Sequence, residues 1–114
     1  MIQIRIFREQ SKIRGFEVKG HADFAEEGSD IVCAAISALS LTGVFASERL
    51  CQLGRIKEPE KGHLIFNLPT DISKSLEQKA FTILETVIIG MYETAKNYPD
   101  YINIYDEGGE YTWN

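Results

Sequence analysis

Apolar and polar residues alternate from the start of the chain. Ile2, Ile4 and Ile6 fall on one face and Gln3 and Arg5 on the other, which predicts a half-buried strand over residues 2–7. Residues 13–19 repeat the pattern, with Phe16 and Val18 inward and Glu17 and Lys19 outward. The polar Glu9-Gln10-Ser11-Lys12 between them predicts a tight antiparallel hairpin. Residues 20–30 follow no period; with glycines near both ends and acidic residues between, they read as a mobile surface loop.

A long helix is predicted from Asp30 or Ile31 to about Gln52, stopping before Gly54. Asp30 suits the N-cap, since its carboxylate can accept from the unpaired amides of the first turn. Ile36, Leu39, Val44 and Leu50 are interleaved with Ala34, Ala35, Ser37, Ala38 and Gly43, small residues that permit close packing on a sheet. This helix is apolar nearly all round, so a central position is expected. Residues 53–58 and 63–68 read as a second hairpin around Glu60-Lys61-Gly62. After Pro69, Thr70 or Asp71 can cap a second helix over about 72–97. Its apolar residues, Leu76, Ala80, Ile83, Leu84, Val87, Ile88, Met91 and Ala95, recur in steps of three and four. Pro99 follows, and residues 101–105 alternate as a last, central strand. Residues 107–114 fit no element. The resulting class is α+β, in the order ββαββαβ, with an antiparallel or mixed sheet packed against two main helices on one or both faces.

The length of 114 residues suits one domain spanning 1–114. Twelve Lys and Arg against seventeen Asp and Glu leave a net charge of −5. That balance argues against a direct nucleic-acid partner, whose binder would be basic, and favours encounter with a basic protein. Met1 opens directly into the first strand, and unbroken apolar stretches are shorter than the roughly 20 residues of a membrane helix. A cytoplasmic protein with no membrane association is therefore expected. Two cysteines do not make a disulfide framework. Cys33 and Cys51 lie 51 − 33 = 18 positions apart, about 27 Å along one helix at its ordinary rise, too far to bridge. Cys51 reads as inert packing. Neither a metal site nor a cofactor is expected, because no Cys-x-x-Cys pair exists and the two His and two Cys lack finger spacing.

Cys33 carries the candidate chemistry. It sits near the third position of the first helix, where unpaired amides and the helix dipole favour an anion, so a lowered thiol pKa is expected. The alternative is a small buried hydrophobe. His21 ends the second strand, and the loop that follows can bring it to the same cleft as Cys33, where it could serve as base and then as acid. His63, at a hairpin turn, is expected to be merely exposed. Ser37 lies one turn beyond Cys33 on its face, and either bonds near the sulfur or substrate or relieves crowding. Asp30 either caps the helix or turns to orient His21. Glu26 and Glu27 either contact basic substrate residues or are simply solvated.

The strings Gly20-His21-Ala22 and Gly28-Ser29-Asp30-Ile31-Val32-Cys33-Ala34-Ala35-Ile36-Ser37 resemble the bacterial Prp family of ribosomal-processing cysteine proteases. They match its pattern GHA…G-x-D-I-V-C-A-A-[IV]-S without a departure. The resemblance implies Cys33 as nucleophile and His21 as base, with Asp30, Ala34 and Ser37 in support. Gly20, Ala22 and Gly28 then belong to the loop that admits substrate, and the amides of Cys33 and Ala34 are expected to hold the oxyanion. It further implies a homodimer of small α+β subunits. The implied substrate is the precursor of large-subunit ribosomal protein number twenty-seven, whose short N-terminal extension is cut off after an aromatic pair. Two other classes remain open on the residues: a thiol redox or sulfur-handling protein using Cys33 without His21, and a non-enzymatic ribosome-associated binding module.

Overall fold

The computed structural model describes residues 1–26, 30–55, 60 and 62–106. Two strands, β1 (Ile2–Glu9) and β2 (Lys12–Lys19), are followed by helix α1 (Ile31–Leu50). Then come β3 (His63–Asn67), helix α2 (Lys74–Asn97) and β4 (Ile102–Asp106). The four strands form one mixed sheet in the order β3-β2-β1-β4. β1 pairs antiparallel with β2, and β2 with β3, while β4 runs parallel to β1. The fold is α+β, as the alternation and helical periods predict.

The register explains the core. Ile6 faces Phe16, which faces Phe66, and Ile2 faces Ile102. Successive side chains of a strand point to opposite faces, so these residues form one apolar surface, and all five are buried. The other face, with Gln3, Arg5, Ile65, Asn103 and Tyr105, is exposed. The β1–β2 hairpin turns on Gln10 and Ser11, both left-handed at φ 50° and 67°, the primed turn that matches strand twist.

Val32, Ile36, Ser40, Gly43, Val44 and Ser47 form the buried stripe of α1, whereas α2 buries Ala80, Phe81, Leu84, Val87, Ile88 and Met91. Gly43 sets how close they come: a methyl group there would lie 2.9 Å from Val87 Cγ2. Ser40 and Ser47 donate to the carbonyls of Ile36 and Gly43, so their hydroxyls are buried at no loss of hydrogen bonding.

Several expectations are corrected. No strand forms at 53–55, and 56–59 lie outside the described residues; β3 finds its ladder on β2 instead. Gln52 and Gly54 are left-handed, at φ 57° and 73°, which turns the chain rather than extending it. β4 is an edge strand, because β1 already has β2 on its other side. Ser73, not Thr70 or Asp71, caps α2. α1 is less enclosed than its composition suggested, since Ile31, Phe45 and Leu50 are exposed. By length and composition alone α1 is long and apolar enough to cross a membrane, although its apolar stretches are interrupted, as expected from the sequence. Its interruptions are small residues, and its two charges, Glu48 and Arg49, fall in the last turn. Residues 107–114 lie outside the described residues.

Candidate active site

β2 ends at one end of the sheet, beside the start of α1. Asp30 fixes that start. Its Oδ1 accepts from the N–H groups of Val32 and Cys33, both at 3.0 Å, and its Oδ2 accepts from the N–H of Phe24 at 3.1 Å. One carboxylate therefore caps the helix and ties the loop to it. The bond from the Cys33 N–H is the main reason its pKa lies below the ordinary carboxylate value. Both oxygens accept from main-chain donors, so Asp30 caps the helix, and no bond from it to His21 is present among the described residues.

A cleft of about 760 Å³ opens between the end of β2, the first half of α1 and the start of β3. His21, Cys33, Asp30, Ala34, Ser37 and Gly20 all line it, over an apolar floor that includes Val18, Ile36 and Leu64. Ala22 is buried behind it, and its N–H donates to Cys33 Sγ at 3.2 Å. Gly28, the remaining loop glycine, lies outside the described residues, as does Glu27; Glu26 is exposed.

Cys33 is half-buried. Burial pushes its thiol pKa up, and the Asp30 carboxylate adds to that; the Ala22 N–H pulls the other way but does not win. This corrects the expected lowering. The cap that satisfies the first-turn amides also brings a negative charge to the sulfur. The expected oxyanion donors are corrected too. The Cys33 N–H bonds Asp30 Oδ1, and the Ala34 N–H bonds the Asp30 carbonyl at 3.0 Å, as the N-cap and the first intrahelical bond require.

No hydrogen bond joins His21 to Cys33 among the described residues. The imidazole lies toward Gly62, where a side-chain methyl would sit 3.2 Å from Nε2. Gly62 has φ +78° and accepts from the Gly20 N–H at 3.1 Å. Sequence reasoning missed this role, although a glycine just before a strand is a recognisable signal of close backbone approach. His63 is exposed at the rim of the cleft, as expected, but its Nε2 also lies 2.7 Å from Glu17 Oε2. Cys51 is fully buried. Among the described residues, no three His, Cys, Asp or Glu side chains gather as metal ligands would.

The model of the cysteine protease Prp family matches residues 1–103. The chain belongs to the Prp family of cysteine proteases. The ribosomal processing cysteine protease Prp of Bacillus subtilis is 32% identical over 111 residues, covering 91% of this chain and 96% of its own. Its counterpart from Mycoplasma genitalium is 32% identical over 96 residues, with 81% and 87% covered. The essential ribosomal processing protease Prp from S. aureus, solved with a covalently linked product peptide, superposes with a TM-score of 0.74. It is 25% identical over 94% of this chain and 100% of that one. The same protease with a substrate peptide gives a TM-score of 0.69 at the same identity and coverage. The four-stranded mixed sheet and paired helices are thus the Prp fold, and the family is one of ribosomal processing cysteine proteases.

Proposed function

We propose that this chain is the endopeptidase that removes the N-terminal extension of the precursor of large-subunit ribosomal protein number twenty-seven, cutting after an aromatic pair. Cys33 is the nucleophile and His21 its base. One observation carries the reading: in a chain of this family, His21 and Cys33 line the same cleft, with the sulfur at the start of a capped helix. The S. aureus relatives solved with substrate and linked product peptides support a peptide as the occupant.

His21 takes the proton of the Cys33 thiol, and the thiolate attacks the scissile carbonyl. The protonated imidazole then passes that proton to the leaving amine, and water hydrolyses the thioester. The Ala22 N–H, already aimed at Sγ, is suited to hold negative charge on the sulfur and then on the carbonyl oxygen; such a donor is worth about 3 kcal/mol. Ser37, exposed one turn along the cleft, faces the peptide. The net charge of −5 favours a basic ribosomal protein as partner. The enzyme works in the cytoplasm as one protease domain, without cofactor, metal, membrane or nucleic acid. It works as a homodimer, a reading supported by the exposed apolar residues Ile31, Phe45 and Leu50 of α1.

Incubating the purified protein with the full-length precursor, and weighing the fragments by mass spectrometry, tests the reading. Two fragments that meet after the aromatic pair are expected, with none from Cys33→Ala or His21→Ala. An intact precursor with the native enzyme, or cleavage by Cys33→Ala, would refute it. Sedimentation of the native protein as a monomer at micromolar concentration would refute the dimer.

A further inference from the structure

We propose that the Phe24 ring, seated edge-on against Tyr98 and Tyr101, is a clasp that holds residues 21–24 in a resting position, and that its release lets the His21 imidazole reach the Cys33 thiol. This rests on the reading of His21 as the base of Cys33.

Phe24 is 40% exposed, more than a core phenylalanine, yet its contacts are specific. Its ring lies 5.7 Å from that of Tyr98 and 5.1 Å from that of Tyr101, each at 82°, the edge-to-face geometry that aromatic quadrupoles favour. The seat is part of the scaffold. The Tyr98 N–H closes the end of α2 on the carbonyls of Ala95 and Thr94. The Tyr101 N–H donates to the Tyr98 carbonyl, and the Tyr101 carbonyl accepts from the Ile2 N–H that opens β1.

What the ring holds is the segment carrying the base. Asp23, next to Phe24, turns the chain at φ +57°, a left-handed conformation that aspartate tolerates, and its carboxylate lies 3.9 Å from the Met1 amine. Within this arrangement the Ala22 N–H occupies the sulfur, while the imidazole lies against Gly62 with no bond to Cys33. The thiol is correspondingly kept protonated by burial and by Asp30. The clasped form is thus intact but unready. When Phe24 leaves its seat, the bond from its N–H to Asp30 Oδ2 is the remaining tie at that residue, and once that part-buried bond exchanges with water the segment can swing. The S–H proton then passes to the imidazole, giving a thiolate and an imidazolium with no other reactant. Phe24 and Tyr101 act through His21 and are positioning residues.

Iodoacetamide alkylation of Cys33 at pH 7, followed by mass spectrometry, needs no peptide and tests this directly. Removing the clasp should shift the population toward the reactive form. Phe24→Ala should be alkylated about tenfold faster than the native protein, the scale set by two lost ring contacts. Tyr101→Leu removes the other side of the contact and should behave alike, which keeps the test open should either variant fail to fold. Phe24→Tyr keeps the edge contact and should stay at the native rate. Adding His21→Gln to Phe24→Ala should cancel the gain. No acceleration in Phe24→Ala and Tyr101→Leu would overturn the clasp, whatever His21 does. Acceleration that survives His21→Gln would show that the ring merely shields the sulfur, and would overturn both the clasp and the pairing of His21 with Cys33.

Discussion

The main-chain N–H of Ala22 donates to the Cys33 sulfur across 3.2 Å. Among the described residues this bond favours the thiolate, and burial with the Asp30 charge outweighs it. A raised pKa means less thiolate at neutral pH, so the peptide-free enzyme should be a slow nucleophile. Alkylation of Cys33 against pH should show a midpoint above that of an unperturbed cysteine. The buried Cys51 should remain unlabelled in the folded protein. A midpoint below that of free cysteine would mean that the helix start governs the sulfur after all.

Asp30→Asn keeps the helix cap but removes the charge and, because an amide nitrogen cannot accept, the bond from the Phe24 N–H. Asparagine caps helices nearly as well as aspartate, so the bonds from Val32 and Cys33 should survive and α1 should persist by circular dichroism. The negative charge beside the sulfur is lost, and with it one of the causes raising the Cys33 pKa. Alkylation at pH 8 should rise, because more of the sulfur is then thiolate. Asp30→Ala removes the cap as well and should lower the melting temperature further than Asp30→Asn. The carboxylate also makes stability pH-dependent. Its pKa is lower in the folded protein, so its contribution is present above the unfolded value and is lost as pH falls through the folded one.

Local pattern carried those parts of the fold that local pattern determines. The alternations through Ile2–Ile6, Phe16–Val18 and Leu64–Phe66 became β1, β2 and β3, and the three-and-four spacing from Leu76 to Ala95 became α2. Cys33 one turn into a capped helix and His21 at a strand end marked the cleft. Partner choice was not local: Ile102 pairs with Ile2, a hundred positions away, and only the assembled sheet makes β4 an edge. The Cys33 pKa was misread for the same reason, since burial of a side chain depends on everything packed around it. Tyr98 and Tyr101 gave no sign in sequence that they would seat Phe24, because an edge contact between distant rings leaves no period.

Gly62→Ala probes the wall behind His21. The left-handed φ of +78° costs an alanine about 1 kcal/mol. The added methyl would also lie 3.2 Å from Nε2, so the imidazole must give way. Stability should fall modestly in denaturant titration. Crowding the resting place of the imidazole favours its departure toward Cys33, so alkylation of Cys33 in the peptide-free protein should rise rather than fall. Slower alkylation would mean that the position against Gly62 is the one from which His21 works.

At the far end of the sheet, structure and chemistry should come apart. Arg8 grips Asp106 with two bonds, Nε to Oδ1 at 2.8 Å and Nη2 to Oδ2 at 2.9 Å, and the Tyr92 hydroxyl lies 3.3 Å from Oδ2. The Asp106 side chain is only 5% exposed. Arg8→Met strips the guanidinium from a buried carboxylate, which should cost about 3 kcal/mol or more; denaturant unfolding measures it. Cleavage per folded molecule should stay native, since these residues lie at the opposite end of β1 from the cleft. Burial, reinforced by the Asp106 charge, pushes the Tyr92 hydroxyl up to about 12 from its ordinary 10.0. The folded state therefore holds this proton more tightly than the unfolded chain. Its contribution is complete below pH 10 and disappears as pH rises through 12, so stability should decline across that window. Tyr92→Phe has no proton to lose and should flatten the decline, while being less stable at pH 7 for want of the bond to Asp106. An alkaline decline equally steep in Tyr92→Phe would assign it to other groups.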